Sequence, residues 1–308
     1  MTGGGGFIGS RLVEALLDRC RVKVLDVDLG RLAERKDENL EFVGIGSDHL
    51  RGGFADPAVV EHAISGADVV YHLAINWDGA SWKHALPLAD LFSLNLRGAF
   101  NLLEAARKQR VRHFLFASSC AVYGESGLRA ADEEAICKPE LWAGDPGPGY
   151  GIVKLTTEKL CLMYSRIYGL PVTVLRMDFV FDEEEGIPSS WILDQFSKEG
   201  VIKLIEGDGY SAVHVDEVVQ AFLLATLNEK AYGQVFNVSN PNIYLSYIEL
   251  FEALIQTTGS KKELSASPGP LRKGRVSLSP DKIQTVLGWR HQKKKEDLLN
   301  AVIRSIRH

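Results

Sequence analysis

Apolar and polar residues fall in blocks along the chain, and the blocks change period. After a glycine-rich start, Leu12/Leu16 and Val13/Leu17 pair four residues apart on one helical face, and Val22-Lys23-Val24-Leu25 then reads as a buried strand ending at Asp26. The alternation recurs. Asp68 to Ala74 predicts a strand, Leu94 to Arg107 a helix, His113-Phe114-Leu115-Phe116-Ala117 a strand, Tyr150 to Tyr168 a long helix, and Val172 to Arg176 another strand. Strands that are apolar throughout, spaced by helical stretches, predict crossover units and hence a doubly wound parallel α/β sheet covered on both faces. Beyond Arg176 the interleaving is less regular. Gly207-Asp208-Gly209 opens a loop into His214 to Val219, and Val235-Phe236-Asn237-Val238 reads as a late strand returning to the sheet. The pattern divides the chain into a large domain, 1–176 plus 207–240, and a smaller α/β lobe, 177–206 plus 241–308, over the carboxyl ends of the strands.

One element is missing from this pattern. Only Met1 and Thr2 precede Gly3, whereas a strand normally feeds such a turn from mid-sheet. Without it, ladder groups on two neighbouring strands would lack partners, at about 1–3 kcal/mol for each one buried. The expectation is that the native protein starts upstream or that another segment fills the slot.

Composition narrows the class. With 308 residues, 45% hydrophobic and 24% charged, the chain can bury one large domain or two coupled ones, which excludes fibrous and disordered readings. A formal net charge of −5 provides no basic field for nucleic acid or an anionic membrane, and Glu296-Asp297 offsets the Lys293-Lys294-Lys295 run. Cys20, Cys120, Cys137 and Cys161 show no CxxC or metal-ligand spacing, so reduced thiols in a cytoplasmic protein are expected. No apolar run of about 18 residues or charged-then-apolar leader is present, so neither a membrane span nor a signal peptide is expected.

The start of the chain carries the first chemistry. Gly3-Gly4-Gly5-Gly6-Phe7-Ile8-Gly9 runs straight into the first helix, and such a turn lets the backbone approach a pyrophosphate at a helix N-terminus. Asp26, seventeen residues past Gly9, suits the two hydroxyls of an adenosine ribose and repels a 2′-phosphate, so NAD is expected rather than NADP. Tyr150 and Lys154 supply the second. Four residues apart on a helix, they share a face, and Ala117-Ser118-Ser119 delivers hydroxyls to the carboxyl edge of the sheet. Ser119, Tyr150 and Lys154 are therefore the candidate catalytic triad. A phenol, which ordinarily titrates at about 10, acts as a base near neutrality only if a nearby positive charge favours the phenolate, and Lys154 is expected to provide one.

These segments, TGGGGFIGS at Thr2 to Ser10, VLDVD at Val24 to Asp28, YHLA at Tyr71 to Ala74, SSCAVYG at Ser118 to Gly124 and YGIVK at Tyr150 to Lys154, resemble the extended short-chain dehydrogenases/reductases and, within them, the NAD-dependent epimerase/dehydratase family. Asn95, Gly98, Asn101, Arg176, HVDEVV at His214 to Val219 and LGW at Leu287 to Trp289 extend the similarity over nearly the whole chain. The resemblance implies a Rossmann sheet and NAD contacts from Gly3, Gly6, Phe7, Ile8, Gly9, Asp26, Leu73, Ala74, Tyr150 and Lys154. It also implies a homodimer through two helices per subunit, about 94 to 109 and 150 to 168, and a small-molecule substrate, such as a nucleotide sugar, met by Ser118, Ser119, Trp77 and Phe179.

Departures from the family pattern bear on that substrate. Phe179 stands where nucleotide-sugar members carry an Asn, and Tyr210-Ser211-Ala212-Val213 lacks their diphosphate-binding Arg, for which Arg272, Lys273 or Arg275 could substitute. Trp77 and Trp82 could wall the pocket or pack in the core, and Gly53-Phe54 replaces an adenine-contacting Asp. Cys120 and Ala121 occupy the place of the acidic pair that sugar dehydratases need, which argues against elimination. Asp182-Glu183-Glu184-Glu185 reads as a solvated turn, with no metal site expected. Three functions stay open: an NAD-dependent epimerase of a (nucleotide) sugar, a dehydrogenase or carbonyl reductase of a non-nucleotide substrate, and a dinucleotide-binding protein without turnover.

Overall fold

The structure, a computed structural model, describes residues 1–44, 53–75, 88–124, 130–142, 147–184, 190–198, 200–269 and 277–307. The first half alternates helix and strand: α1 (Phe7–Leu17), β1 (Val22–Asp26), β2 (Leu40–Gly44), α2 (Pro57–Ile64), β3 (Val69–His72), α3 (Leu88–Lys108), β4 (His113–Ser119), α4 (Pro148–Tyr168) and β5 (Val172–Met177). There follow β6 (Phe179–Phe181), α5 (Ser190–Ser197), β7 (Ile202–Ile205), β8 (Gly209–His214), α6 (Val215–Ala225), β9 (Gln234–Val238), β10 (Tyr244–Ser246), α7 (Tyr247–Thr258), β11 (Leu264–Ser267), α8 (Asp281–Leu287) and α9 (Lys295–Arg307).

The main sheet is parallel, in the order β3-β4-β5-β9, with β1-β2 as a second parallel pair. Its apolar runs are uninterrupted because both faces are covered. Phe114, Phe116, Val172 and Val174 point to the core beneath α2, α3 and α4, while Leu115, Ala117, Leu175 and Met177 point to the core beneath α1, α6 and α8. Gly98 on α3 is what lets that helix lie close, since a Cβ there would meet the Phe54 ring at 1.8 Å.

Between β1 and β3 the chain supplies only a stub of strand. Thr2 bridges Leu25 and His72, both in the parallel sense. The Thr2 N–H donates to Tyr71 O at 2.9 Å, Leu25 N–H to Met1 O at 2.8 Å and Leu73 N–H to Thr2 O at 3.1 Å. Beyond the stub a cavity of about 830 Å³ continues between Val22 and Val69, and among the described residues no other strand pairs into it. The expected filling by another segment of this chain is therefore not what the fold shows.

The lobe is organised by a three-stranded sheet, β10-β8-β6, in which β8 is antiparallel to β10 and parallel to β6, and by the parallel pair β7-β11. Its separate core includes Phe181, Ile202, Leu245, Phe251, Leu298 and Val302. Two segments sit elsewhere than the sequence pattern placed them. Gly209–His214 is the middle strand of the lobe sheet, and the large domain is rejoined by α6 and β9, with Val213 of β8 reaching into its core. Conversely Ile283, Leu287 and Trp289 pack into the large domain's core, where the Trp289 indole N–H donates to Glu217 O at 2.8 Å. Both differences arise from partners remote in sequence.

Within the acidic run Asp182 is a buried clamp, while Glu183 and Glu184 are exposed as a solvated turn would have them and Glu185 lies outside the described residues. Asp182, 1% exposed, receives Arg11 of α1 at 3.0 Å and Arg31 at 3.6 Å, and Glu183 meets His214 at 3.2 Å and Lys293 at 3.1 Å. The Arg11 pair ties α1 to the segment leaving β6, and the others tie that segment to Arg31, His214 and Lys293.

Candidate active site

The glycine turn is built from close approaches. Gly3 has φ of 73°, and a Cβ on it would lie 2.6 Å from Ala74 N; on Gly9 it would lie 1.9 Å from Gly3 O, and on Gly5 1.9 Å from Asp28 O. Gly6 differs. It is the N-cap of α1, and a Cβ there would meet Gly3 O alone, at 3.4 Å. Phe7 opens the helix with no capping side chain and no acidic residue in the first turn, so the N–H groups of Phe7, Ile8 and Gly9 present the positive end of the dipole without a competing anion. Asp26 is set beside the turn: its Oδ2 accepts from Gly5 N–H at 2.9 Å and its Oδ1 from Val27 N–H at 2.8 Å. Leu73 and Ala74 border the same turn through Leu73 N–H to Thr2 O at 3.1 Å and Ala74 N–H to Thr2 Oγ1 at 3.3 Å. An open N-cap glycine, an uncapped helix and a fixed carboxylate fit a dinucleotide.

The second cluster lies at the carboxyl end of β4. Ser119 is the last residue of the strand, its Oγ accepting from Ala121 N–H at 3.2 Å and hydrogen-bonding the Tyr150 phenol. One helical turn on, the Lys154 ammonium donates to Ala117 O at 2.7 Å and lies 5.5 Å from the centre of the Tyr150 ring and 5.1 Å from that of Phe116. The fold thus brings Ser119, Tyr150 and Lys154 together.

Their electrostatics differ from the sequence expectation. Burial pushes the Tyr150 phenol up to about 12, the bond from Ser119 opposing it. Burial likewise pushes the Lys154 ammonium down to about 7, against the attraction of Glu158. Within the chain alone, desolvation outweighs the expected stabilisation of the phenolate by the neighbouring ammonium.

Ser118 lines the same cavity as Ser119 and also reaches beneath it. Its hydroxyl, 1% exposed, donates to the Glu158 carboxylate beneath the site. Glu158 is ion-paired with Arg176 at 2.8 Å, Arg176 Nη1 donates to Tyr123 Oη at 2.8 Å, and Tyr123 Oη donates to Asn237 Oδ1 at 2.7 Å. Ser118 therefore braces the strand end that carries Ser119.

A cavity of about 250 Å³ opens against Ser119, Tyr150, Cys120, Trp142, Asp178 and Phe179. Phe179 does face it, with its ring 6.1 Å from that of Trp142. Trp77, together with Trp82, Arg272, Lys273 and Arg275, lies outside the described residues. Sequence reasoning missed Asp178, Glu158 and Trp142. Glu158 had a signal, since it falls one turn beyond Lys154 on the same face. Asp178 had a fainter one, a charge directly following an apolar strand. Burial pushes Asp178 up to about 7, while the hydroxyl of Ser239 donates to its Oδ2 at 2.8 Å and Phe179 N–H to its Oδ1 at 3.0 Å.

Known proteins resemble this chain in sequence and fold. The family model of the NAD dependent epimerase/dehydratase family matches residues 1–239. The uncharacterized UDP-glucose epimerase YtcB of Bacillus subtilis is 33% identical over 193 residues, which is 59% of this chain and 56% of that protein. The UDP-glucose 4-epimerase of Thermotoga maritima, solved with UDP-glucose, superposes with a TM-score of 0.72 at 29% identity, covering 99% of this chain and 97% of that one. The Thermus thermophilus UDP-glucose 4-epimerase, solved with NAD, gives 0.72 at 28% identity over the same shares.

Proposed function

The chain belongs to the NAD dependent epimerase/dehydratase family, and from that premise we propose that it inverts a carbinol centre of a nucleotide sugar by transient oxidation. The observation that carries the reading is that Ser119 and Tyr150 line one cavity at the carboxyl end of β4, with the Lys154 ammonium 5.5 Å from the Tyr150 ring. The likeness to epimerases solved with NAD and with UDP-glucose supports it.

The dinucleotide's pyrophosphate would rest on the Gly6 turn, its adenosine ribose on Asp26, and its nicotinamide ribose near Ala74, Tyr150 and Lys154. Bound NAD supplies a hydride acceptor that afterwards returns the hydride. The chain's own residues do the rest. Ser119 orients the substrate oxygen, and Tyr150 takes the carbinol proton and gives it back. Burial of the phenol and of Lys154 keeps water from both groups, so the proton moves within the site. Turning of the keto sugar between the two transfers would expose its other face. Cys120 and Ala121 offer no carboxyl pair for removing water, so the epimerase branch is preferred over the dehydratase branch.

A dehydrogenase or carbonyl reductase is the second reading, favoured by the apolar Phe179 and the uncharged Tyr210–Val213 stretch. Incubation with NAD and UDP-glucose or UDP-galactose separates the two. An epimerase interconverts the sugars without accumulating NADH, whereas NADH formed in step with product would replace this reading by the second. Tyr150→Phe is expected to lower kcat by about 10²–10⁴ with NAD binding retained, and undiminished turnover would remove the triad.

The assembly follows from the same helices. Phe100, Met163, Ile167 and Tyr168 on α3 and α4 are 48%, 40%, 62% and 54% exposed, an apolar face suited to a homodimer. Cys20, Cys120, Cys137 and Cys161 are free thiols, which suits the cytoplasm. No described helix is long and apolar enough to cross a membrane.

A further inference from the structure

The cavity beside Ser119 and Tyr150 has an anionic wall and, among its described lining residues, no cationic one. Asp178 is the one carboxylate there. Two described cations beneath the same strand end are committed elsewhere: Lys154 donates to Ala117 O at 2.7 Å, and Arg176 is paired with Glu158 at 2.8 Å. Asp178 itself is held by two neutral donors, Phe179 N–H at 3.0 Å and the Ser239 hydroxyl at 2.8 Å, which leave its charge uncompensated and further lone pairs available. A second, independent feature lies on the same cavity. Trp142 is 3% exposed, and its indole Nε1–H has no hydrogen-bond partner among the described residues. A buried donor without an acceptor is rare in a native fold and costly unless something binds it.

Resting on the reading of this site as a sugar pocket, the geometry points to a subsite for a neutral sugar ring. Asp178 accepts from one ring hydroxyl, and the Trp142 indole N–H donates to another ring oxygen. A sugar carrying a carboxylate, such as a uronate, is rejected, because two like charges would share a poorly solvated cavity with no cation among its described lining residues. The pair would also supply the polar contacts that Phe179 cannot.

The test uses the NAD-loaded protein at pH 8 with UDP-glucose, UDP-galactose and UDP-glucuronate, measuring both turnover and binding by titration calorimetry. The neutral sugars are expected to be favoured over UDP-glucuronate by about 100-fold or more in affinity, a like-charge penalty of ordinary size. Asp178→Asn, close in shape, should narrow that preference to under about 10-fold, and Trp142→Phe should weaken the neutral sugars by about 5–20-fold, the range for one buried hydrogen bond. UDP-glucuronate bound as well as UDP-glucose, or a preference untouched by Asp178→Asn, overturns the subsite whatever the turnover. Selective binding without turnover keeps the subsite and overturns the epimerase reading; turnover without selectivity does the reverse. Binding of none of the three sugars overturns both.

Discussion

Single residues in this protein are decided by what surrounds them. Gly6 and Gly9 look alike in the sequence, yet a Cβ at Gly9 would strike Gly3 O at 1.9 Å while one at Gly6 would meet it at 3.4 Å. Gly9→Ala is therefore expected to unfold the turn and lower the melting temperature, whereas Gly6→Ala should fold and lose NAD affinity, which calorimetric titration would read. A folded, NAD-binding Gly9→Ala would refute the packing argument. Asp178 makes the equivalent case for charge. Burial raises its pKa from 3.8 to about 7, so the unfolded chain releases the proton more readily and the folded state loses stability as pH rises through that window. Asp178→Asn should then melt higher than the unsubstituted protein at pH 8.5 and gain nothing at pH 4. A gain of equal size at both values would show that the carboxyl is not the cause. The phenol and ammonium of Tyr150 and Lys154 were legible from their spacing. Their protonation was not, because desolvation depends on the cavity around them.

At the scale of elements, β4, α4 and β5 act as one unit. Ser118, Glu158 and Arg176 come from all three and meet where no water reaches, with Glu158 0% exposed. Arg176→Met is expected to cost about 3–5 kcal/mol, since it strands a buried carboxylate, and Arg176→Met with Glu158→Gln should recover much of that in urea denaturation. A double variant no more stable than Arg176→Met alone would mean that the ion pair is not what holds the unit. The strands were readable because both their faces are buried, so their apolar runs are unbroken. Helix α3 begins at Leu88, six residues before its predicted start at Leu94, and its first turn carries Asp90, favourable to the dipole. β8 is misread from sequence alone because its partners, Phe179–Phe181 and Tyr244–Ser246, are each about thirty residues away.

For the whole molecule, the exposed apolar face of α3 and α4 predicts association. Phe100→Glu with Ile167→Glu should convert a dimer to a monomer in light scattering, and a protein monomeric before substitution would remove the assembly from the reading. By itself the sequence determined the doubly wound sheet, the glycine-rich turn into α1 and the four-residue spacing of the phenol and ammonium, because each follows from short-range periodicity and from glycine's lack of a side chain. Tertiary structure alone decided that Ser118 braces the strand end, that Asp182 clamps α1, that Trp289 belongs to the large core and that Asp178 and Trp142 face the cavity beside Ser119. Those assignments rest on partners far apart in the chain and on exclusion of water, and neither quantity exists until the sheet has closed around them.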